Sequence, residues 1–396
     1  MINPRLAALN EYPFDRLRAL LDGVAPPPDL KPMVLSVGEP RHPPPAVVAE
    51  ALARHGDGWG RYPPVEGTEG FRRAAANWLR RRFDLGDNAI DPDRHIVPVS
   101  GTREALFMAA ALAVPERKDG RRPNVILPNP FYHTYFGAAA MSGAEPMPLP
   151  ATRASGFLPD LDALNARTLD ATALFYLCSP ANPQGAVADM TYLRRAIGLA
   201  RAHDFVLVVD ECYTEIYDRA PPPGALAVCA GDFRNVLAFH SLSKRSSAPG
   251  LRSGFVAGDE ALIAALRRLR TFGGATAPLP VLAAAAALWD DDAHVEANRA
   301  LYRRKFDLAE AALGGRFGFF RPEGAFFLWL EVGDDARAAT ALWRDAAVRV
   351  LPGSYLGRPD GDGINPGAGF IRVALIDDIP ATQQALTRLA NVLNVL

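Results

Sequence analysis

Between about residue 65 and residue 280, short apolar runs alternate with longer segments whose apolar residues recur every three or four positions. The runs cover residues 96–99, 124–127, 173–178, 206–210, 236–239 and 254–257, and the periodic segments include 102–113, 190–203 and 259–269. A run that is apolar throughout has no polar face to offer water, so both of its faces must be covered. Strands alternating with helices meet that demand as βαβ units, which predicts an α/β fold with a mostly parallel sheet covered on both sides. In such a sheet, ligands gather beyond the carboxyl ends of the strands.

The flanking segments read differently. Residues 1–30 form an arm with one short amphipathic helix that ends in Pro26-Pro27-Pro28. A strand follows at 33–37 and is stopped by Gly38-Glu39-Pro40. From 281 a long helical stretch runs through Phe306 to Ala312, and short strands at 326–331 and 370–374 alternate with helices. The expected organisation is an arm and part of a small domain over 1–48, a large domain over 49–280, and a smaller α+β domain over 281–396.

Composition narrows the function. At 396 residues the chain can bury a large core without disulfides or metals. Its 43 basic and 44 acidic residues leave no net field for nucleic acid or an anionic membrane. The three cysteines, Cys178, Cys212 and Cys229, form no CxxC pair, and the histidines show no HExxH spacing, so no metal site is expected. The most apolar stretch, 278–288, falls short of the ~20 residues of a membrane span. The N-terminal stretch carries Arg5, Asp15, Arg16 and Arg18 and no apolar leader core, so a cytoplasmic location is expected.

Only four of the 43 basic residues are lysines: Lys31, Lys118, Lys244 and Lys305. Arginine has displaced lysine almost wherever a plain positive charge suffices, so each retained lysine draws notice. Only an amine forms an imine with a carbonyl. Lys31, Lys118 and Lys305 sit in polar or Pro-rich contexts and read as surface charges. Lys244 follows the apolar run 236–239 in Ser241-Leu242-Ser243-Lys244.

Five further strand ends or helix starts carry polar groups. The run 206–210 ends in Asp210-Glu211-Cys212-Tyr213, where the plain reading is an acid capping the next turn. Ser100-Gly101-Thr102 opens the helix 102–113 and offers backbone N–H groups and the positive end of its dipole; alone it is an ordinary N-cap. Arg252, in Leu251-Arg252-Ser253-Gly254, could pair with a phosphate or face solvent. Asn182 lies in the turn Ser179-Pro180-Ala181-Asn182-Pro183-Gln184-Gly185. Arg372 sits inside the apolar run 370–374, where burial demands an anion, either a structural partner or a substrate carboxylate. Singly these signals are weak. Jointly they describe a phosphorylated aldehyde cofactor held by a lysine.

Their order and wording resemble the fold-type I, class I/II aminotransferases, which use pyridoxal 5′-phosphate. The resemblance spans almost the whole chain and is most specific in SLSKRSSAPGLRSGF. Within that family the segments LSVGEPRH, NPFYHTYFGAA and INPGAGFIRVALI are most similar to the bacterial succinyldiaminopimelate transaminases of lysine and diaminopimelate synthesis. The resemblance implies a large, mostly parallel cofactor domain with a smaller α+β domain. It implies that Lys244 holds the cofactor as a Schiff base and moves the substrate proton, and that Asp210 pairs with the pyridinium nitrogen. Tyr213 and Asn182 would hydrogen-bond the ring's phenolic oxygen, and Tyr132 would stack on the ring. Gly101, Thr102, Ser241 and Arg252 would hold the phosphate. Tyr62 would reach the phosphate of a neighbouring subunit, which implies a homodimer. Arg372 would clamp the substrate α-carboxylate, with the backbone near Gly38 closing over it. Arg103 is given no role beyond its backbone.

The implied reaction passes an amino group from an amino acid, glutamate, to a keto acid, N-succinyl-2-amino-6-oxopimelate. Other aminotransferases acting on aspartate, alanine or aromatic amino acids, and a carbon–sulfur lyase of the same fold, share these motifs. Arg245 and the Gly273-Gly274 loop are the candidates for recognising the succinyl group.

Overall fold

The computed structural model describes residues 2–9 and 12–396. The first strand, β1 (Met33–Val34), lies outside the main sheet. The main sheet contains β2 (Ile96–Val99), β3 (Asn124–Asn129), β4 (Glu145–Pro150), β5 (Thr172–Cys178), β6 (Val206–Asp210), β7 (Val236–Ser241) and β8 (Gly254–Gly258). Their spatial order is β2-β8-β7-β6-β5-β3-β4. β8 runs antiparallel to both β2 and β7, and the other pairs are parallel. The expected doubly covered α/β sheet is present. In β6, Leu207 and Val209 join the core on one face while Val206 and Val208 join the core on the other. That period of two, apolar on both sides, is why the run carries no polar alternation.

β4 escaped sequence reading because its sequence is Glu-Pro-Met-Pro-Leu-Pro. It pairs only with β3, at the sheet's edge. Three prolines are tolerated there because an edge strand has one side with no ladder to satisfy.

The remaining strands are β9 (Phe327–Glu331), β10 (Val348–Arg349), β11 (Leu351–Pro352) and β12 (Phe370–Ala374). β9, β12 and β11 form an antiparallel sheet, and β1 pairs in parallel with β10. The N-terminal segment is therefore stitched into structure formed by the end of the chain. Leu35 continues the stitch, giving its N–H to Arg349 O and its carbonyl to the Ala374 N–H, both at 2.8 Å.

The helical stretch past residue 280 divides into Leu279–Asp290 and Ala293–Leu313. The first packs on the helices Val47–Arg54 and Glu69–Phe83 and shares the core of the main sheet. The second packs on the helix Ile379–Leu393 and shares the core of the small sheet. No helix of the described residues is long and apolar enough to cross a membrane.

Two lysines depart from the surface positions expected of them. Lys305 is fully buried, because the turn spacing of Ala293–Leu313 puts it on the face that carries Tyr302, Phe306 and Ala309 into the core. Lys118 is half-buried, and its amine donates to the carbonyls of Thr172 (2.5 Å), His203 (2.9 Å) and Asp204 (2.6 Å).

A buried ion cluster joins the two helical layers. Glu215 accepts from Arg82 of Glu69–Phe83 at 2.5 Å and from Arg299 of Ala293–Leu313 at 2.9 Å. Breaking a buried pair from one side leaves uncompensated charge, so Glu215→Ala should cost about 3–5 kcal/mol. Urea unfolding followed by circular dichroism measures this loss, and a change under 1 kcal/mol would show the cluster to be solvated.

Candidate active site

The direction of the strands decides what meets at the sheet's edge. β5, β6 and β7 are parallel, so Asn182, Asp210 and Ser241 emerge on one side. β2 runs the same way, because it is antiparallel to β8, which is antiparallel to β7. The start of the helix Thr102–Ala113 therefore comes to the same edge, and so does Arg252, just before reversed β8. Lys244 sits in the short helix Leu242–Arg245 that leaves β7. These residues converge on a cavity of about 640 Å³.

Of the predicted residues, Gly38, Thr102, Tyr132, Asn182, Asp210, Tyr213, Ser241, Lys244, Arg252 and Arg372 all line this cavity. Gly101 stands directly behind it at φ +81, and a Cβ there would collide with the Arg252 guanidinium. The positive φ is what favours glycine here. Tyr62 lies elsewhere, on the surface and fully exposed.

The amine of Lys244 donates to the Gly38 carbonyl and lies 5.9 Å from the Tyr213 ring and 5.4 Å from the Phe326 ring. Burial lowers its pKa to about 8, with the Arg372 and Arg103 charges adding to the effect. At pH 7 a pKa of about 8 leaves roughly one amine in ten in the free, nucleophilic form, against fewer than about one in a thousand for an ordinary lysine. Asp210 is the site's buried acid. Burial raises its pKa, against the pull of Cys212 and of the Tyr135 hydroxyl, which donates to Oδ2 at 2.6 Å. A carboxylate so placed gains from a cationic partner.

Arg372 on β12 is 5% exposed. Its Nη1 donates to Asn182 Oδ1 at 2.9 Å and its Nη2 to the Ser36 carbonyl at 2.6 Å, while Nε has no partner. Both acceptors are neutral. Burial lowers its pKa to about 10. Among the described residues no carboxylate pairs with it, so a structural ion pair is not what holds this arginine.

Several contributors went unnoticed in the sequence. Tyr135 is one; the repeated aromatics of Phe131-Tyr132-His133-Thr134-Tyr135-Phe136 were its only signal. Cys212 is another, with its sulfur 3.1 Å from Thr102 Oγ1. The arm contributes Tyr12 and Phe14, and β9 contributes Phe327. Arg103 takes more than a backbone part: its side chain lines the cavity and donates to the Tyr132 hydroxyl at 2.5 Å. Arg245 lies outside the cavity. It is buried, and donates to the Leu288 carbonyl at 2.5 Å and to Asp292 at 2.8 Å. Its role is to join helices, because its side chain points away from the site next to Lys244. Gly273 lines an adjoining apolar cavity of about 870 Å³, and Gly274 lines neither.

A family model of class I and II aminotransferases matches residues 31–387. The chain belongs to the class I and II aminotransferases. The 4-dedimethylamino-4-oxo-anhydrotetracycline transaminase OxyQ of Streptomyces rimosus is 35% identical over 369 residues, covering 92% of this chain and 95% of that protein. A crystal structure of an aminotransferase from Neisseria meningitidis matches with a TM-score of 0.93 at 38% identity, over 98% of this chain and 99% of the other. A probable N-succinyldiaminopimelate aminotransferase from Thermus thermophilus matches with a TM-score of 0.82 at 28% identity, over 98% of this chain and all of the other, 100%.

Aminotransferases of this family use pyridoxal 5′-phosphate. The cavity suits that group. It offers an amine of lowered pKa, a buried acid, and, grouped for an anion, the helix start at Thr102 with Ser241 and the Arg252 guanidinium. The Nε of buried Arg372 is left without a partner.

The titration of the lysine is directly measurable. Acylation of Lys244 in cofactor-free protein, followed by peptide mass spectrometry, should reach half its limiting rate near pH 8. An ordinary lysine would still be rising at about pH 10, and such a profile would show an amine open to water.

Proposed function

We propose that this aminotransferase acts as an N-succinyl-LL-2,6-diaminopimelate:2-oxoglutarate aminotransferase in lysine and diaminopimelate synthesis. The observation that carries the transaminase chemistry is the shared cavity of Lys244, Asp210 and Arg372. The likeness to the Thermus thermophilus protein over nearly the whole chain supports the substrate. The sequence segments that resemble succinyldiaminopimelate transaminases support it further.

Each residue has a defined part. Gly101, Thr102, Ser241 and Arg252 bind the phosphate of pyridoxal phosphate. Asp210, held by Tyr135, pairs with its ring nitrogen, Tyr213 and Asn182 bind its phenolic oxygen, and Tyr132 covers its ring. When bound, the cofactor supplies an electron-withdrawing ring that stabilises negative charge at the substrate α-carbon. Lys244 would hold the cofactor through Nζ, and its amine, once released by the substrate's own amine, would carry the proton taken from the α-carbon. Arginine could not replace it, because a guanidinium stays protonated. Arg372 exchanges part of its neutral contacts for the substrate α-carboxylate, a charge-assisted and bidentate pairing. The Gly38 backbone closes over that carboxylate. Both half-reactions use one site in turn, so a donor such as glutamate leaves as its keto acid before the acceptor binds. A homodimer, in which exposed Tyr62 reaches the neighbouring phosphate site, completes the proposal.

Two variants test the roles. Lys244→Ala should lose at least about 10³-fold in kcat while still binding pyridoxal phosphate noncovalently. Near-normal turnover would remove the central assignment. Arg372→Ala should raise KM for donor and acceptor alike, by about 10²-fold, because both carry an α-carboxylate. A change confined to one substrate would contradict the clamp.

The substrate is tested by comparing kcat/KM for N-succinyl-2-amino-6-oxopimelate and oxaloacetate as acceptors with glutamate as donor. The succinylated keto acid should be preferred by at least about tenfold. A preference for oxaloacetate would reassign the enzyme to aspartate.

A further inference from the structure

The mechanism leaves one buried amine unused. Lys305 has no solvent exposure, and its chain neighbours Arg303 and Arg304 show that this protein ordinarily uses arginine for positive charge. Its Nζ lies 2.7 Å from His42 Nε2, 2.9 Å from the Leu375 carbonyl, and 4.5 Å from the Tyr302 ring centre. Burial lowers the lysine to about 7 and the histidine to about 4. Neutral His42 accepts from Lys305. A compact amine fits this gap between a ring nitrogen and a carbonyl; a forked guanidinium does not.

Both partners of Lys305 flank the substrate subsite. Leu375 directly follows β12, the strand that carries Arg372. His42 ends the crossing from Leu35 that brings Gly38 to the cavity. At its start this crossing is fixed by the backbone bonds of Leu35, and Ser36 accepts from Arg372. At its far end the Arg41 N–H reaches the Ile376 carbonyl at a long 3.4 Å, and two side-chain ties join the crossing to the segment that follows β12. Arg41 pairs with Asp377 at 2.5 Å, but the arginine side chain is 43% exposed, and such pairs contribute little. The other tie, through Lys305, is buried, and its loss would leave polar groups without partners. Beneath the crossing, the Tyr302 and His42 rings meet at right angles 5.7 Å apart, and Tyr302 stacks on Phe326 at 5.4 Å. Phe326 in turn lies against Lys244.

We propose that Lys305 is a positioning residue for substrate binding: through His42 and the Leu375 carbonyl it holds the Gly38 crossing in register with Arg372, and so sets the gap that receives the α-carboxylate. This rests on the carboxylate role given above to Arg372 and Gly38.

The test uses cofactor-loaded protein with Lys305→Met, which keeps length and removes the donor. Three readouts are compared with wild type: steady-state kinetics with glutamate, calorimetric binding of 2-oxoglutarate, and the rate at which hydroxylamine bleaches the cofactor's visible band. Hydroxylamine has no carboxylate, so it reports access to the cofactor alone. The glutamate KM and the 2-oxoglutarate Kd should each rise about tenfold, with kcat within about twofold and the hydroxylamine rate unchanged. His42→Phe should act in the same direction and keeps the test open where Lys305→Met does not fold. His42→Gln, which retains an acceptor, should stay near wild type. Unchanged carboxylate binding in Lys305→Met, beside weakened binding in Arg372→Ala, would overturn this proposal alone. Unchanged binding in both would overturn the carboxylate clamp and this proposal with it. An equal fall in hydroxylamine rate and carboxylate binding would show general structural damage and would also overturn it.

Discussion

The common direction of β2, β5, β6 and β7 is the constraint on which the site depends. Each strand is apolar on both faces and must lie within the sheet, so its polar residues are expelled past its end. Parallel pairing collects those ends at one edge. Reversed β8 adds to the collection from its opposite terminus, because its start lies where the others finish. The proposed phosphate cradle, an acid, an amide and an amine thereby reach one edge from positions spread over some 150 residues of chain.

Charge is then held there at a cost that the protein leaves partly uncompensated. Lys244 and Arg372 are both pushed toward neutrality by burial, and Asp210 is pushed toward its acid form. Perturbations of opposite sign facing one cavity are the mark of a site awaiting a ligand of complementary charge. The proposed ligands, a phosphorylated aromatic cation and a carboxylate, would supply what is missing. The neutral acceptors of Arg372 suit the carboxylate role proposed for it, since a resident carboxylate would compete with a substrate for the same guanidinium.

Legibility in the sequence followed locality. Lys244, Asp210 and Thr102 stand at or just past the ends of apolar runs, so local pattern marked them, and the scarcity of lysine added to the signal at Lys244. Tyr135 and Cys212 were invisible because their importance lies in which atoms they approach, Asp210 and Thr102, across the sheet. Arg245 misled for the converse reason. It is next to Lys244 in sequence, yet one residue along a helix turns a side chain by about 100 degrees, and Arg245 faces the helix Leu279–Asp290 instead. β4 was hidden by its prolines, which only an edge position excuses.

The amino-acid sequence by itself determined the layered α/β sheet, the edge at which ligands bind, and the chemical types gathered there. Those follow from periodicity and from residues adjacent in the chain. Tertiary structure alone decided the rest. It joined β1 to β10 and hung the Gly38 crossing between distant segments. It buried Lys305, in a run of charges that reads as surface, because a helix has an inner face wherever another element covers it. Which face is covered is a property of packing between segments far apart in the chain, and no local pattern of residues encodes it.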